Sequence, residues 1–145
     1  MPRDVRISSQ RQTALEELLA ERLYEFNSEA TGIFDGELLS ACVEDASGNT
    51  IAGLSGHTWG GCCKIDRVWV EKSIRGSGLG TAVMKAAEAE AIRRGCHQMV
   101  LSTHSFQAPA FYEKLGFRRV AAIADNPRGH ATFFYVKRLP ASQGS

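Results

Sequence analysis

The chain has 145 residues, 43% of them hydrophobic, which is the size and composition of one globular domain with a real core. Seventeen Lys plus Arg against 16 Asp plus Glu leave a formal net charge of +1, so nothing points to a nucleic-acid partner or an anionic membrane surface. No apolar stretch approaches the roughly 20 residues that span a bilayer, and "MPRDVRISSQ" lacks the apolar centre of a signal peptide, so a cytoplasmic location is expected.

In chain order, "TALEELLAERLYEF" places Leu15, Leu19, Leu23 and Phe26 at helical spacing, with Thr13 and Glu16 in capping-box positions. After a break around Gly32 and Gly36, "ELLSACVE" and "TIAGLSGHTW" flank the turn-rich "DASGN" and read as an antiparallel hairpin. "CKIDRVWVE" is a third strand beyond Gly60 and Gly61. The alanine-rich "TAVMKAAEAEAIRR" is a helix that stops at Gly95, with Arg93 and Arg94 in the last turn, where cations suit the helix dipole. "QMVLST" is a short apolar strand, and "APAFYEKL" a short helix started by Pro109 and ended by Gly116. "FRRVAAIA" and "ATFFYVKRL" close the chain as strands around "DNPRGH".

With a strand before the first helix, the expected order is strand, helix, three strands, helix, strand, helix, two strands. That order predicts an α/β fold in which a mixed, mostly antiparallel central sheet is flanked by helices, as one domain over 1–139 with a frayed tail at 140–145. Cys42, Cys62, Cys63 and Cys96 form no paired CxxC and no zinc-type arrangement with histidine, so reduced structural thiols and no metal site are expected.

"SIRGSGLG", residues 73–80, lies at a strand-to-helix junction. A helix N-terminus exposes free backbone N–H groups and a positive dipole end, so an anion can dock there if no side chain blocks it. Glycines at 76, 78 and 80 remove those side chains; the same three would also serve a tight turn. A dinucleotide fingerprint lacks its last glycine at the required spacing, and a P-loop lacks its Gly-Lys-Ser/Thr, so both nucleotide readings fall.

The stretch resembles the Arg-x-x-Gly-x-Gly signature of the Gcn5-related N-acetyltransferases, with Arg75, Gly78 and Gly80 in the three defining places. "FYEKLGF", residues 111–117, is similar to the second hallmark of that family, and "VWV" fits the strand before its loop. The resemblance covers nearly the whole chain and implies a loop that cradles the pyrophosphate of acetyl-coenzyme A (acetyl-CoA). It implies cofactor contacts from Val68, Val70, Arg75, Gly76, Ser77, Gly78, Leu79, Gly80, Thr81, Phe111 and Lys114. The Val70 N–H would stabilise the oxyanion, and Arg75 and Lys114 would meet phosphates. Ser105 stands where the family often has an asparagine.

Acetylating an amine needs proton management at both ends. A lysine-like ammonium, with a pKa of ~10.4, must lose a proton before it can attack. Asp66 shares strand parity with Val68 and Val70, and burial on that face would raise its pKa toward a working base. Glu71, Glu44, His57, His130 and a water chain are its rivals. At the leaving side the resemblance makes Tyr112 the general acid for the coenzyme A thiolate; as ordinary residues, Phe111 and Tyr112 would be core aromatics.

The resulting expectation is an enzyme, an acyltransferase moving acetyl from acetyl-CoA to an amine in a ternary complex. Asp66, Glu71 and Glu44 favour a cationic acceptor, and Trp59 and Trp69 are candidates to line its pocket. The alternatives are a non-catalytic acetyl-CoA-binding sensor and a hydroxyl acetyltransferase. Acetyl-CoA and the acceptor are the implied partners, with a homodimer left open.

Overall fold

The computed structural model describes residues 3–142, which fall into two compact units, one ending at Phe34 and one beginning at Asp35. In the first, α1 (Thr13–Thr31) ends at Gly32, whose φ of 75° gives a left-handed cap. The helix begins one residue before the expected capping box: Gln12 is the N-cap, its carbonyl accepts from the Glu16 N–H at 2.8 Å, and no side chain caps it. Thr13 is therefore already helical and cannot act as the cap. Leu15, Leu19, Leu23 and Phe26 are exposed. Residues 3–12 form no strand, so the expected first strand is absent among the described residues; Val5 and Ile7 are exposed there and pair with nothing that would order a ladder. Of the expected tail 140–145, residues 143–145 lie outside the described residues.

The second unit is built on a six-stranded sheet of β1 (Glu37–Glu44), β2 (Thr50–Trp59), β3 (Cys62–Val70), β4 (Gln98–His104), β5 (Arg118–Ala124) and β6 (Ala131–Arg138). The strand order is β1-β2-β3-β4-β6-β5, antiparallel throughout except for the parallel β3–β4 pair. The hairpin, the third strand and the two closing strands lie where the sequence pattern puts them. Between β3 and β4 runs α2 (Leu79–Arg93), the crossover that a parallel pair requires, and between β4 and β5 the short α3 (Pro109–Lys114).

One face of α2 buries Val83, Met84, Ala87 and Ala91 against the sheet. These residues join Ala52, Leu54, Cys63 and Met99 of the sheet in one buried core cluster. At its C-terminus Arg94 donates from Nη1 to the Leu38 carbonyl and to Thr58 Oγ1, both at 3.1 Å, tying the helix end to β1 and β2. Arg93 and Arg94 both bond Glu90, which holds that carboxyl down at about 2.

Two irregularities decide what the sheet does. The β3–β4 ladder runs only from Cys62↔Gln98 to Lys64↔Val100 and then stops. Opposite that point the β2–β3 register shifts: Ser55 pairs with Arg67 and Gly56 with Ile65, which leaves Asp66 as the extra residue of a bulge. The bulge also breaks the simple alternation of β3. Gly56 is required by this close approach, since a Cβ there would sit 2.0 Å from the Lys64 carbonyl oxygen. Gly56→Ala should therefore destabilise the fold by about 1–3 kcal/mol, read as a lower urea midpoint with unchanged slope. A midpoint equal to wild type would show that the bulge yields freely.

Candidate active site

Past Lys64 and Val100, β3 and β4 diverge, and the gap between them opens into a cavity of about 1050 Å³. Residues 65–70 of β3 form one wall and residues 101–104 of β4 another. The glycine turn, Phe111 and Tyr112 of α3, and Thr132 of β6 complete it.

Gly76 and Gly78 have φ of 85° and 90°, backbone that a side chain adopts only with strain, so the turn reading holds. A Cβ at either position would meet nothing within 4 Å. The way to the start of α2 is open. Gly78 is the N-cap, no side chain caps the helix, and its first internal bond runs from Ala82 N–H to the Gly78 carbonyl at 3.0 Å. The N–H groups of Leu79, Gly80 and Thr81 are left for an outside acceptor. At Gly80 an added Cβ would lie 3.3 Å from both Phe111 Cζ and Val70 Cγ2, so that glycine lets α2, α3 and β3 converge.

Arg75 lines the cavity and anchors the turn, donating from Nε to the Val70 carbonyl at 3.1 Å. Of the other expected cofactor contacts, Val68, Val70, Gly76, Gly78, Gly80, Thr81 and Phe111 line the cavity. Ser77 is exposed, Leu79 packs on the core and Lys114 is exposed on α3; none of these three side chains lines it. The Val70 N–H has a direction set by pairing. Glu71 N–H donates to the Ile51 carbonyl at 2.8 Å, so the adjacent Val70–Ala52 pair is of the non-hydrogen-bonded kind, and its N–H groups point away from each other. That turns the Val70 N–H toward the β3–β4 gap.

Tyr112 is 7% exposed, packed edge-on against Phe111 and Phe117, yet it lines the cavity. Burial pushes its hydroxyl above the ordinary value of 10.0, and no described residue accepts its proton. Its neighbour Glu113 accepts a 2.6 Å bond from the Tyr135 hydroxyl, which pins α3 to β6. Arg119 lies 3.5 Å over the Phe133 ring and reaches the same Glu113. The tyrosine thus belongs to the core and also lines the cavity.

Asp66 reaches the cavity, but its side chain is 41% exposed, with His57 Nδ1 at 3.9 Å and Lys64 Nζ at 4.0 Å. The burial expected to make it a strong base is not there, because the bulge carries it out of the buried row. Glu71 faces its own chain: the Ser73 hydroxyl and backbone N–H both donate to it and hold its carboxyl below the usual range. It caps the 3-10 turn Lys72–Ile74. Glu44, His57 and His130 do not line the cavity, nor does Trp59; Trp69, half exposed, does.

Sequence inspection missed His104, Phe106, Gln107 and Thr132, all of which line the cavity. The available signal was position. His104 ends a strand that runs parallel to its neighbour, and ligands gather at the carboxyl ends of such strands. Ser105, at the family's asparagine position, uses its hydroxyl to accept from the Ala131 N–H at 3.0 Å.

All four cysteines are free, and burial pushes the Cys63 thiol up to about 12 and raises Cys62 and Cys96, so none of these three is a ready nucleophile. Among the described residues no group of three or more His, Cys, Asp or Glu is placed to hold a metal.

An uncapped helix start behind a glycine turn, a splayed parallel strand pair and a phenol at the gap define a coenzyme A-dependent acyltransferase, and the chain belongs to the acetyltransferase (GNAT) family, whose model matches residues 7–117. It is an acetyl-CoA-dependent N-acetyltransferase. It is 39% identical over 100 residues to a Blasticidin-S acetyltransferase of Streptomyces morookaense, a match covering 68% of this chain and 72% of that one. It is 26% identical over 124 residues to an acetyltransferase of Agrobacterium fabrum, covering 86% and 90% of the two chains. A crystal structure of an acetyltransferase from Bacillus cereus superposes with a TM-score of 0.76 at 28% identity, over 92% of this chain and 98% of that one.

Gly78→Val would force a β-branched side chain into left-handed backbone and into the open approach to α2. It should weaken acetyl-CoA binding by about 1–3 kcal/mol, measured by calorimetry on folded protein. Unchanged affinity would leave only the turn role.

Proposed function

We propose that this enzyme acetylates a cationic small-molecule amine by direct attack on the thioester, with Tyr112 as the general acid for the departing sulfur. The observation that carries this reading is Tyr112 itself, a residue 7% exposed on the cavity wall whose hydroxyl is bonded to no described residue. A leaving thiolate, with basicity near a cysteine's ~8.5, is close enough to a phenol's ~10 for proton transfer to cost little. Burial raises the affinity of Tyr112 for its proton, so the acid form persists through neutral pH. A module that only sensed acetyl-CoA would have no use for such a group.

The residues present fit acetyl-CoA. The N–H groups at the start of α2, with Arg75 beside them, suit a pyrophosphate, and the openness at Gly76 and Gly78 admits it. Ser77 and Leu79 serve through the backbone of that turn, and Lys114 through long-range charge. The Val70 N–H, turned toward the gap, suits the carbonyl oxygen as charge grows on it. Asp66 is the acidic side chain at the cavity, which Trp69 and Phe106 also line. A carboxylate beside aromatic faces attracts a cationic amine. The likeness to a Blasticidin-S acetyltransferase supports a small-molecule acceptor over a protein. Free thiols support action in the cytoplasm, and no helix among the described residues is long and apolar enough to cross a membrane.

Tyr112→Phe keeps the ring and removes the proton donor. It should bind acetyl-CoA nearly normally and lose roughly 10²- to 10⁴-fold in single-turnover rate with an amine found by acceptor screening. Full turnover would assign sulfur protonation elsewhere, and a screen in which only acidic amines react would reject the cationic acceptor.

A further inference from the structure

His104 ends β4 on the cavity wall, and three neighbours fix its ring and backbone. Its Nδ1 lies 2.9 Å from Thr132 Oγ1, and its ring stacks on Phe106 at 5.3 Å between centroids and 14° between planes. Its backbone N–H donates to Gln107 Oε1 at 2.8 Å, the same oxygen that receives the Thr103 hydroxyl at 3.1 Å.

The proton count around Thr132 settles which ring nitrogen is free. The Thr132 hydroxyl has one proton, and it is given to the Asn126 carbonyl, an acceptor only, at 2.8 Å. Thr132 Oγ1 must therefore accept in its contact with His104, so Nδ1 is the donor. In the neutral imidazole the lone pair is then on Nε2, which has no hydrogen-bond partner among the described residues.

We infer that His104 is the base of this reaction, its Nε2 taking the proton of the acceptor amine, with Thr132 as the positioning residue that sets the tautomer. The inference rests on the amine-acetylation reading above and adds the group that reading lacks, since the exposed Asp66, beside Lys64, is suited to attracting a cation. The acceptor's ammonium gives a proton to Nε2, which passes it to water. The freed lone pair forms the bond to the acetyl carbonyl carbon as the carbon–sulfur bond breaks. Water takes the second N–H proton, while Tyr112 gives its proton to the sulfur and regains one from water. One proton is released overall.

The test compares wild type, His104→Ala, Thr132→Val and Thr132→Ser for acetyl-CoA affinity by calorimetry and for single-turnover acetylation. Two probes are used: an alkyl diamine, protonated at the assay pH, and an arylhydrazine, which is not. ¹⁵N NMR of the full-length wild type reads the His104 tautomer directly. Expected are the Nδ1–H tautomer and near-normal acetyl-CoA affinity for His104→Ala. Its diamine rate should fall about 10²- to 10⁴-fold and its arylhydrazine rate by less than tenfold. Thr132→Val should fall between, and Thr132→Ser should stay near wild type. An Nε2–H tautomer, full diamine turnover by His104→Ala, or equal losses with both nucleophiles would overturn the assignment while leaving amine acetylation standing. Failure of the wild type to acetylate either probe would instead overturn the cationic small-molecule acceptor reading, and the base role with it, whatever tautomer NMR finds.

Discussion

The site depends on a ladder that ends early. Parallel strands satisfy each other's backbone groups for as long as they pair, and β3 and β4 pair for only three residues before separating. Every group that faces the cavity from a strand stands beyond that point. The separation needs a strand that can bend, and the bulge at Asp66, packed against Gly56, supplies the bend by placing two residues opposite one. A regular ladder to the end of β3 would turn the Val70 N–H into a β4 hydrogen bond and close the gap. A local irregularity thus creates both the cavity and a donor to work in it.

Around that gap, a few polar bonds hold the pieces in register. Arg75 to the Val70 carbonyl fixes the glycine turn against β3, Tyr135 to Glu113 fixes α3 against β6, and Gln107 fixes the chain just after β4. Each is worth on the order of 0.5–1.5 kcal/mol net, so none dominates stability. Their importance is geometric, because reacting groups misplaced by an ångström lose much of the benefit of being held together. Bulk stability comes instead from α2 on the sheet, through Met99, Cys63, Ala52 and the helix alanines.

Electrostatics divides similar side chains by what surrounds them. Asp66 and Glu71 are five residues apart, yet one faces the cavity half exposed and the other is bound by Ser73 as a cap. Cys63 is silent because burial stabilises its thiol form. Burial acts in the same direction on Tyr112, on the cavity wall, where it keeps the phenol protonated.

Local sequence determined much of this protein. The hairpin, the α2 stop at Gly95, the start of α3 at Pro109 and the glycine turn are short-range matters of periodicity, capping and allowed φ, and they stand where residue pattern puts them. The Arg75-x-x-Gly78-x-Gly80 spacing and Tyr112 were legible because a fixed chemistry needs those residues at fixed spacing. What tertiary structure alone decided concerns partners far apart in the chain. The bulge that moves Asp66 out of the buried row depends on Gly56 meeting Lys64 across the hairpin, and parity counted along β3 cannot show it. The absence of a strand over residues 3–12 and the helix cap at Gln12 were likewise decided by which backbone groups found partners. His104 depends on Thr132, 28 residues away and two strands later, because the free nitrogen of an imidazole is fixed by whichever group the fold sets against the other one.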